Sequence, residues 1–385
     1  MGKHLVLAGT GHAHLSILKE LPSLQMQGHA VTVINAGAYH YYSGMGPGLL
    51  SGRYRPEDAR IHVKKMVEDS GGTFIQDLVT HLDPTAHYVR TRSGQEFSYD
   101  VVSCNVGSHV PSLPEMTPGD AVFPVKPVEH LLKARRKILK LLQQHGQITV
   151  TVVGGGAAGV EMAANIRALV EAESGQAAIH LIAGERLLER FPKRMRRCAL
   201  ELLTDRRVDV REGAQVERFS QGIIKLSDNS SFASDVCLLA TGTRPATLFT
   251  DSGLPTAEDG GLWVNQYLQS VEFPDIFGGG DCIAFQPTPL ERVGVYAVRQ
   301  SPVLLHNILA ALNDDSYEAF SPQKFYMLIL NMGGNTGIMW HPRLAWHLPL
   351  VLRGKPVFWL KNFIDTAFMR KFQISGERET GEDDA

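Results

Sequence analysis

Cysteine is scarce in this chain, with four in 385 residues, at Cys104, Cys198, Cys237 and Cys282. No two form a C-x-x-C pair, and their spacing matches no metal-ligand set, which excludes the usual dithiol relay. The scatter suits a reducing compartment. A charge excess of one sign is also missing. Lys and Arg total 38 against 40 Asp and Glu, a formal net charge of −2, so nothing in the charge balance calls for nucleic acid as a partner. Long hydrophobic runs are lacking, since none approaches the roughly 20 apolar residues that cross a bilayer. A strand expected at residues 5–8 leaves no room for a signal peptide. The expected location is therefore cytoplasmic, or peripheral on the inner face of the cell membrane. Fifteen histidines are present, but no triad or zinc pattern organises them, so no metal is expected.

What remains is an ordinary globular composition, 44% hydrophobic and 20% charged, long enough for two or three domains. Residues 149–166 carry the most informative stretch. A β-branched run at 149–153 predicts a buried strand; Gly154, Gly156 and Gly159 follow at G-x-G-x-x-G spacing, and then an Ala-rich helix. In that context the first glycine makes a tight turn and the second admits a pyrophosphate. The third lets helix pack on strand, and the helix N-terminus faces the phosphates. Glu161 sits just past the third glycine, where its bland role is an acid favoured by the helix dipole.

Residues 3–21 repeat the theme less completely. A strand runs into Gly9-Thr10-Gly11-His12-Ala13-His14, with His14 where the third glycine belongs. The next strand ends at Asn35, which takes the place of a ribose-binding carboxylate. Three further strands end in small residues: 101–108 with Gly107 and Ser108, 236–245 with Gly242, and 275–282 with Gly278-Gly279-Gly280-Asp281.

In this order the segments resemble the two-dinucleotide-binding-domain flavoproteins of the pyridine nucleotide–disulfide oxidoreductase superfamily, over residues 4–372. The resemblance implies an α/β fold with two Rossmann-like domains. An FAD domain is split between 1–112 and 247–322, an NAD(P)H domain is inserted at 113–246, and 323–385 form a C-terminal interface or membrane-association region. It also implies FAD, with NADH or NADPH as co-substrate. The implied FAD residues are Gly9, Gly11, His12, Ala13, Asn35, Ser43, Gly107, Gly280, Asp281 and Val295. For NAD(P)H they are Gly154, Gly156, Ala157, Gly159, Glu185 and Gly242, with Glu161 orienting the hydride donor. Arg186 beside Glu185 leaves the choice between NADH and NADPH open.

The segment His40-Tyr41-Tyr42-Ser43-Gly44-Met45-Gly46-Pro47-Gly48 lies where true disulfide reductases carry their redox cysteines, and it has none. It looks like type II NADH dehydrogenases, and more closely like the flavoprotein domain fused to selenophosphate synthetase. Residues 294–300 resemble the Ala-x-x-x-Gln-Gln segment of those dehydrogenases, with Gln300 matching one glutamine and Arg299 replacing the other. The resemblance implies an acceptor pocket of Tyr42, Met45, Pro47, Tyr296 and Gln300 that takes a quinone. Reduction of a sulfur or selenium compound is the alternative of the same class. A non-catalytic flavin redox sensor is the alternative of another class, and the intact fingerprint at Gly154 argues against it.

Trp340, Trp346 and Trp359 crowd the last 46 residues. Val357, Leu360, Phe363, Ile364, Ala367, Phe368 and Phe372 recur at helical spacing, with Lys361, Arg370 and Lys371 beside them. Residues 356–372 then read either as a helix packed on the body or a homodimer partner, or as an interfacial helix with its basic residues toward anionic lipid. The acidic tail after residue 375 is expected to be disordered.

Overall fold

The computed structural model describes residues 2–112, 116, 120–345 and 348–373. Trp346 and the acidic tail lie outside them. The chain opens with β1 (His4–Ala8), whose Leu5, Val6, Leu7 and Ala8 are all buried. A 3-10 turn then leads into two short helices, α1 (Leu15–Lys19) and α2 (Leu21–Met26), in place of the single helix expected to residue 21. Next come β2 (Ala30–Asn35), α3 (Gly46–Ser51), β3 (Thr73–Gln76) and β4 (Val101–Cys104).

A second set follows: β5 (Val122–Pro124), β6 (Gln147–Val153), α4 (Ala157–Ala172), β7 (Gln176–Ile182), α5 (Lys193–Asp205), β8 (Val208–Arg211) and β9 (Val236–Leu239). Then β10 (Ile276–Gly278) returns to the first sheet, and α6 (Gly294–Asn313) packs behind it.

Two five-stranded sheets result, ordered β10-β4-β1-β2-β3 and β5-β9-β6-β7-β8, every pairing parallel. Parallel strands are covered on both faces, which is why they read as continuous apolar runs. The strand order reverses beside β1 in one sheet and beside β6 in the other. In such sheets the crevice at the reversal, off the carboxyl ends, takes the ligand. Both glycine turns lie there. The architecture is α/β with two Rossmann-like units.

The remainder is a three-stranded antiparallel sheet, β11 (Leu328–Asn331), β12 (Gly337–Ala345) and β13 (Leu348–Gly354), closed by α7 (Lys355–Phe372). This layer packs against α4 and α5 of the second unit. Helix α7 also reaches the first unit, its Gln373 cap region donating to Glu57 O and Arg60 O.

Candidate active site

The turn after β1 borders a cavity of about 540 Å³. Gly9, Gly11, His12, Asn35, Ser43, Gly107, Gly280 and Asp281 all line it, so the segments expected to meet FAD do converge. Two expected residues stand elsewhere. Ala13 is buried behind the turn, and Val295 is off the wall, where Gly294 and Ala297, one helical turn apart on α6, line it instead.

His14 explains the imperfect fingerprint. Its Nδ1 lies 2.7 Å from Gly9 O and its Nε2 2.8 Å from Ser103 Oγ. Burial pushes its pKa down to about 4, so the ring is neutral near pH 7. A carbonyl only accepts, so Nδ1 carries the proton and Nε2 accepts from Ser103. The imidazole thus braces the glycine turn against β4.

Asp281 does not stand free. Lys126 Nζ lies 2.5 Å from its Oδ2, and Ser108 Oγ donates to the same oxygen at 2.8 Å. Lys126 also lines the cavity, as do Asp77 and Arg92 toward Asn35. Sequence reasoning missed these, because a lone charged residue in a loop carries no spacing signal. The buried Asn105 Nδ2 has no protein partner. The volume, the amide-rich turns and this orphaned donor fit a dinucleotide such as FAD.

At the second turn, Gly159 has no room for a side chain, since a Cβ there would stand 1.8 Å from Gly154 O. Gly156 caps α4 in an extended conformation, and Ala157 opens the helix. Gly242 and Glu185 are both exposed, Glu185 just past β7 with Arg186 beside it. The 16-residue length of α4 and the left-handed Ser174 after it account for the late position of Glu185. The neighbouring acid Glu212 is already engaged, accepting from Leu187 N and Arg196.

Glu161 turns away from the phosphate end of α4. Its Oε1 accepts from Asn331 N, at the end of β11, at 2.7 Å. Burial pushes its pKa up to about 7; Lys361 and the Asn331 N–H pull against that, and Asp365 adds to it. Both Lys361 and Asp365 belong to α7. In the interfacial reading of this helix Lys361 would face lipid, but it is 12% exposed and points inward, with Nζ 2.7 Å from Asp365 Oδ2 and 2.7 Å from Gly44 O. A buried ammonium is tolerable only with such partners. Burial raises the pKa of Asp365 as well, against Lys361.

Tyr42 joins this group to the cavity. Its hydroxyl donates to Asp365 Oδ1 at 3.4 Å, its ring stacks on Phe368 of α7 at 4.5 Å, and it lies 5.4 Å from the ring of His12.

The other expected pocket residues are not gathered around one opening. Met45 and Pro47 are buried, Pro47 within α3, which packs on α4. Gln300 is 1% exposed and accepts from Gly280 N at 2.7 Å, so it braces the Gly280 turn from behind. Tyr296 lies on the outer side of that turn, its ring edge-on to Tyr326.

All four cysteines are free thiols, and Cys104, Cys237 and Cys282 are buried. Burial pushes the Cys282 thiol up to about 12, which leaves it inert. Among the described residues, no group of three or more His, Cys, Asp and Glu could hold a metal ion.

Known proteins resemble this chain along most of its length. Ferroptosis suppressor protein 1 of Taeniopygia guttata is 26% identical over 70% of this chain and 71% of its own. A type II NADH:quinone oxidoreductase of Staphylococcus aureus is 23% identical over 97% of this chain and 96% of its own. The sulfide:quinone oxidoreductase structure from Aquifex aeolicus superposes with a TM-score of 0.79 at 17% identity, covering 97% and 92% of the two chains. The family described as pyridine nucleotide-disulphide oxidoreductase matches residues 3–307, and this chain belongs to it.

Proposed function

We propose that the protein is an FAD-dependent NAD(P)H dehydrogenase that passes electrons to a quinone-type acceptor. The observation that carries this reading is Glu161. It stands on the helix that opens at the nicotinamide fingerprint, yet it meets Lys361 and Asp365 beside Tyr42, whose ring lies against His12 of the flavin-cavity wall. Donor side and acceptor side therefore share one cluster of ionisable groups. The relatives support the reading: one is named an NADH:quinone and another a sulfide:quinone oxidoreductase, so quinone is common to both names.

FAD, when bound, supplies the two-electron step between nicotinamide and acceptor. The chain supplies position and protons. Residues 1–112 and 247–322 hold FAD, with Gly9, Gly11, His12, Asn35, Ser43, Gly107, Gly280 and Asp281 lining its cavity. Lys126 and Ser108 fix the Asp281 carboxylate. Residues 113–246 hold NADH or NADPH, through Gly154, Gly156, Ala157 and Gly159, with Glu185 past β7 and Gly242 past β9 on either side of that turn. Gln300 acts by bracing Gly280, Pro47 by opening the helix that packs on α4 of the second unit, and Met45 by filling the core just before it. Adjacent thiols take no part in electron exit.

Residues 323–373 supply both packing and attachment. Helix α7 buries Val357, Phe358, Asp365, Met369 and Phe372 and leaves Trp359 and Phe363 50% and 69% exposed, with Leu360 and Ile364 alongside. Arg370 and Lys371 are exposed near that face, and the Arg53 guanidinium lies 5.3 Å from the Trp359 ring. An aromatic face rimmed by cations suits the surface of an anionic membrane. Among the described residues no helix is long and apolar enough to cross one. The same face pairing two copies is the competing arrangement.

An acceptor screen tests the function. Protein reduced by NADH is expected to turn over with a quinone analogue and not with polysulfide or selenium compounds. Turnover with polysulfide or selenite alone would replace the quinone reading.

A further inference from the structure

The overall reaction NAD(P)H + H⁺ + Q → NAD(P)⁺ + QH₂ forms two O–H bonds on the acceptor and draws one proton from solvent per turnover. This inference rests on the quinone-type reading above. Electrons have their route through the flavin cavity; the protons need one of their own. We propose that Asp365 and Tyr42 form that route, with Tyr42 handing its hydroxyl proton to the acceptor oxygen and Asp365 restoring it. In this step Asp365, protonated on Oδ1, donates to the Tyr42 oxygen in place of accepting from it, which frees the Tyr42 hydroxyl for the acceptor; the Tyr42 O–H bond then breaks as the acceptor O–H forms. The Asp365 carboxyl then gives its proton to the Tyr42 oxygen and is recharged from the side of Glu161.

Three observations support it. First, the cluster has two acids, Glu161 and Asp365, around one cation, Lys361. With both acids ionised it would hold an uncompensated negative charge in a desolvated setting. It is neutral when the two share one proton, so it stores a single exchangeable proton that belongs to the group and not to either acid. Second, the hydrogen bonds are directional. Lys361 fills Asp365 Oδ2, which leaves Oδ1 for the Tyr42 hydroxyl. Third, the backbone is shaped around Tyr42. A Cβ on Gly44 would stand 2.7 Å from the ring and 2.8 Å from its hydroxyl, so only glycine admits the ring in this pose.

The groups facing Asp365 are Lys361 on its own helix, Glu161 on α4, and Tyr42 and Tyr54 from the segment around α3. Arg53 and Asp58 act on Tyr54 from the same side. Tyr54 is held to α7 by its hydroxyl, which donates to Asn362 Oδ1 at 2.8 Å.

Asp365 acts through Tyr42, so the test must separate proton delivery from structure. FAD-loaded wild type, Asp365→Asn, Asp365→Glu and Tyr42→Phe are compared with two acceptors, a soluble quinone and ferricyanide, which takes electrons and no protons. The expected result is a loss of quinone reduction of about 100-fold in Asp365→Asn and Tyr42→Phe. Ferricyanide reduction and the flavin spectrum stay near wild type, and Asp365→Glu restores part of the quinone rate. The solvent deuterium isotope effect on quinone reduction is expected to rise in Asp365→Asn. Wild-type quinone rates in both variants would overturn the relay, as would parallel loss with both acceptors. Wild-type protein that reduces ferricyanide and no quinone would instead remove the acceptor reading, and the relay with it. If Asp365→Asn fails to fold, Tyr42→Phe decides by the same comparison.

Discussion

Glu161 lies with one oxygen on the Asn331 N–H and the rest of its carboxyl crowded by protein, and burial raises its pKa from 4.5 to about 7. A carboxyl raised in this way is held protonated by the fold while the unfolded chain ionises. Its cost to stability is absent below about pH 4.5, grows as pH rises toward about 7, and is constant above that. Glu161→Gln is therefore expected to leave stability unchanged near pH 4 and to raise it by about 2 kcal/mol near pH 8. Urea unfolding at the two pH values measures this; a variant less stable at the higher pH would contradict it. At the same scale, Gly44→Ala should displace the Tyr42 ring and slow quinone reduction about tenfold or more while ferricyanide reduction persists. The place of Glu161 after the glycines gave only an acid at a helix start, and its role beside the hydride donor came from the resemblance. Lys361 and Asp365 were not legible as site residues. On an amphipathic helix a Lys and an Asp four residues apart read as a solvated pair, and only the fold turns both inward.

The nucleotide fingerprints were legible as elements because their physics is local. Strand, turn and helix follow one another within a few residues, and no Cβ fits at Gly159. Gly159→Ala should push α4 off the turn, abolishing NADH-driven flavin reduction while FAD content is retained. Equal reduction rates in the variant and wild type would show that the turn tolerates the shift. The first fingerprint was harder to read, since the brace from His14 to Ser103 joins residues 89 apart in sequence. Helix α7 shows the limit of periodicity. Its apolar residues at helical spacing gave one stripe, whereas the folded helix has a buried side holding Asp365 and an exposed side holding Trp359 and Phe363. Replacing Trp359 and Phe363 with Ser is expected to weaken binding to anionic vesicles about tenfold or more and to leave ferricyanide reduction unchanged. Unchanged vesicle binding, together with loss of a dimer on gel filtration, would assign the face to a second copy.

At the scale of the whole molecule, two parallel sheets each carry a glycine turn at their strand reversal, and the β11–β13 layer with α7 packs on α4 and α5 of the second unit while α7 also reaches the first. The order of glycine-ended strands made the two-unit architecture readable without any contact information. The closing layer was not readable, because its strands have no motif and its position depends on docking to α4 and α5. That layer brings Lys361 and Asp365 to Tyr42 and Gly44 of the first unit, so the proposed relay is complete only when all three parts are assembled. The central claim is that electrons enter from a nicotinamide, pass through bound FAD and leave to a quinone without thiols. Anaerobic sequential mixing tests it most directly: FAD-loaded protein is mixed first with NADH or NADPH, then with a soluble quinone, while flavin absorbance is followed. The account predicts bleaching with at least one nicotinamide and full recovery on quinone addition, with all four cysteines still free. Flavin that stays oxidised with both nicotinamides would contradict it.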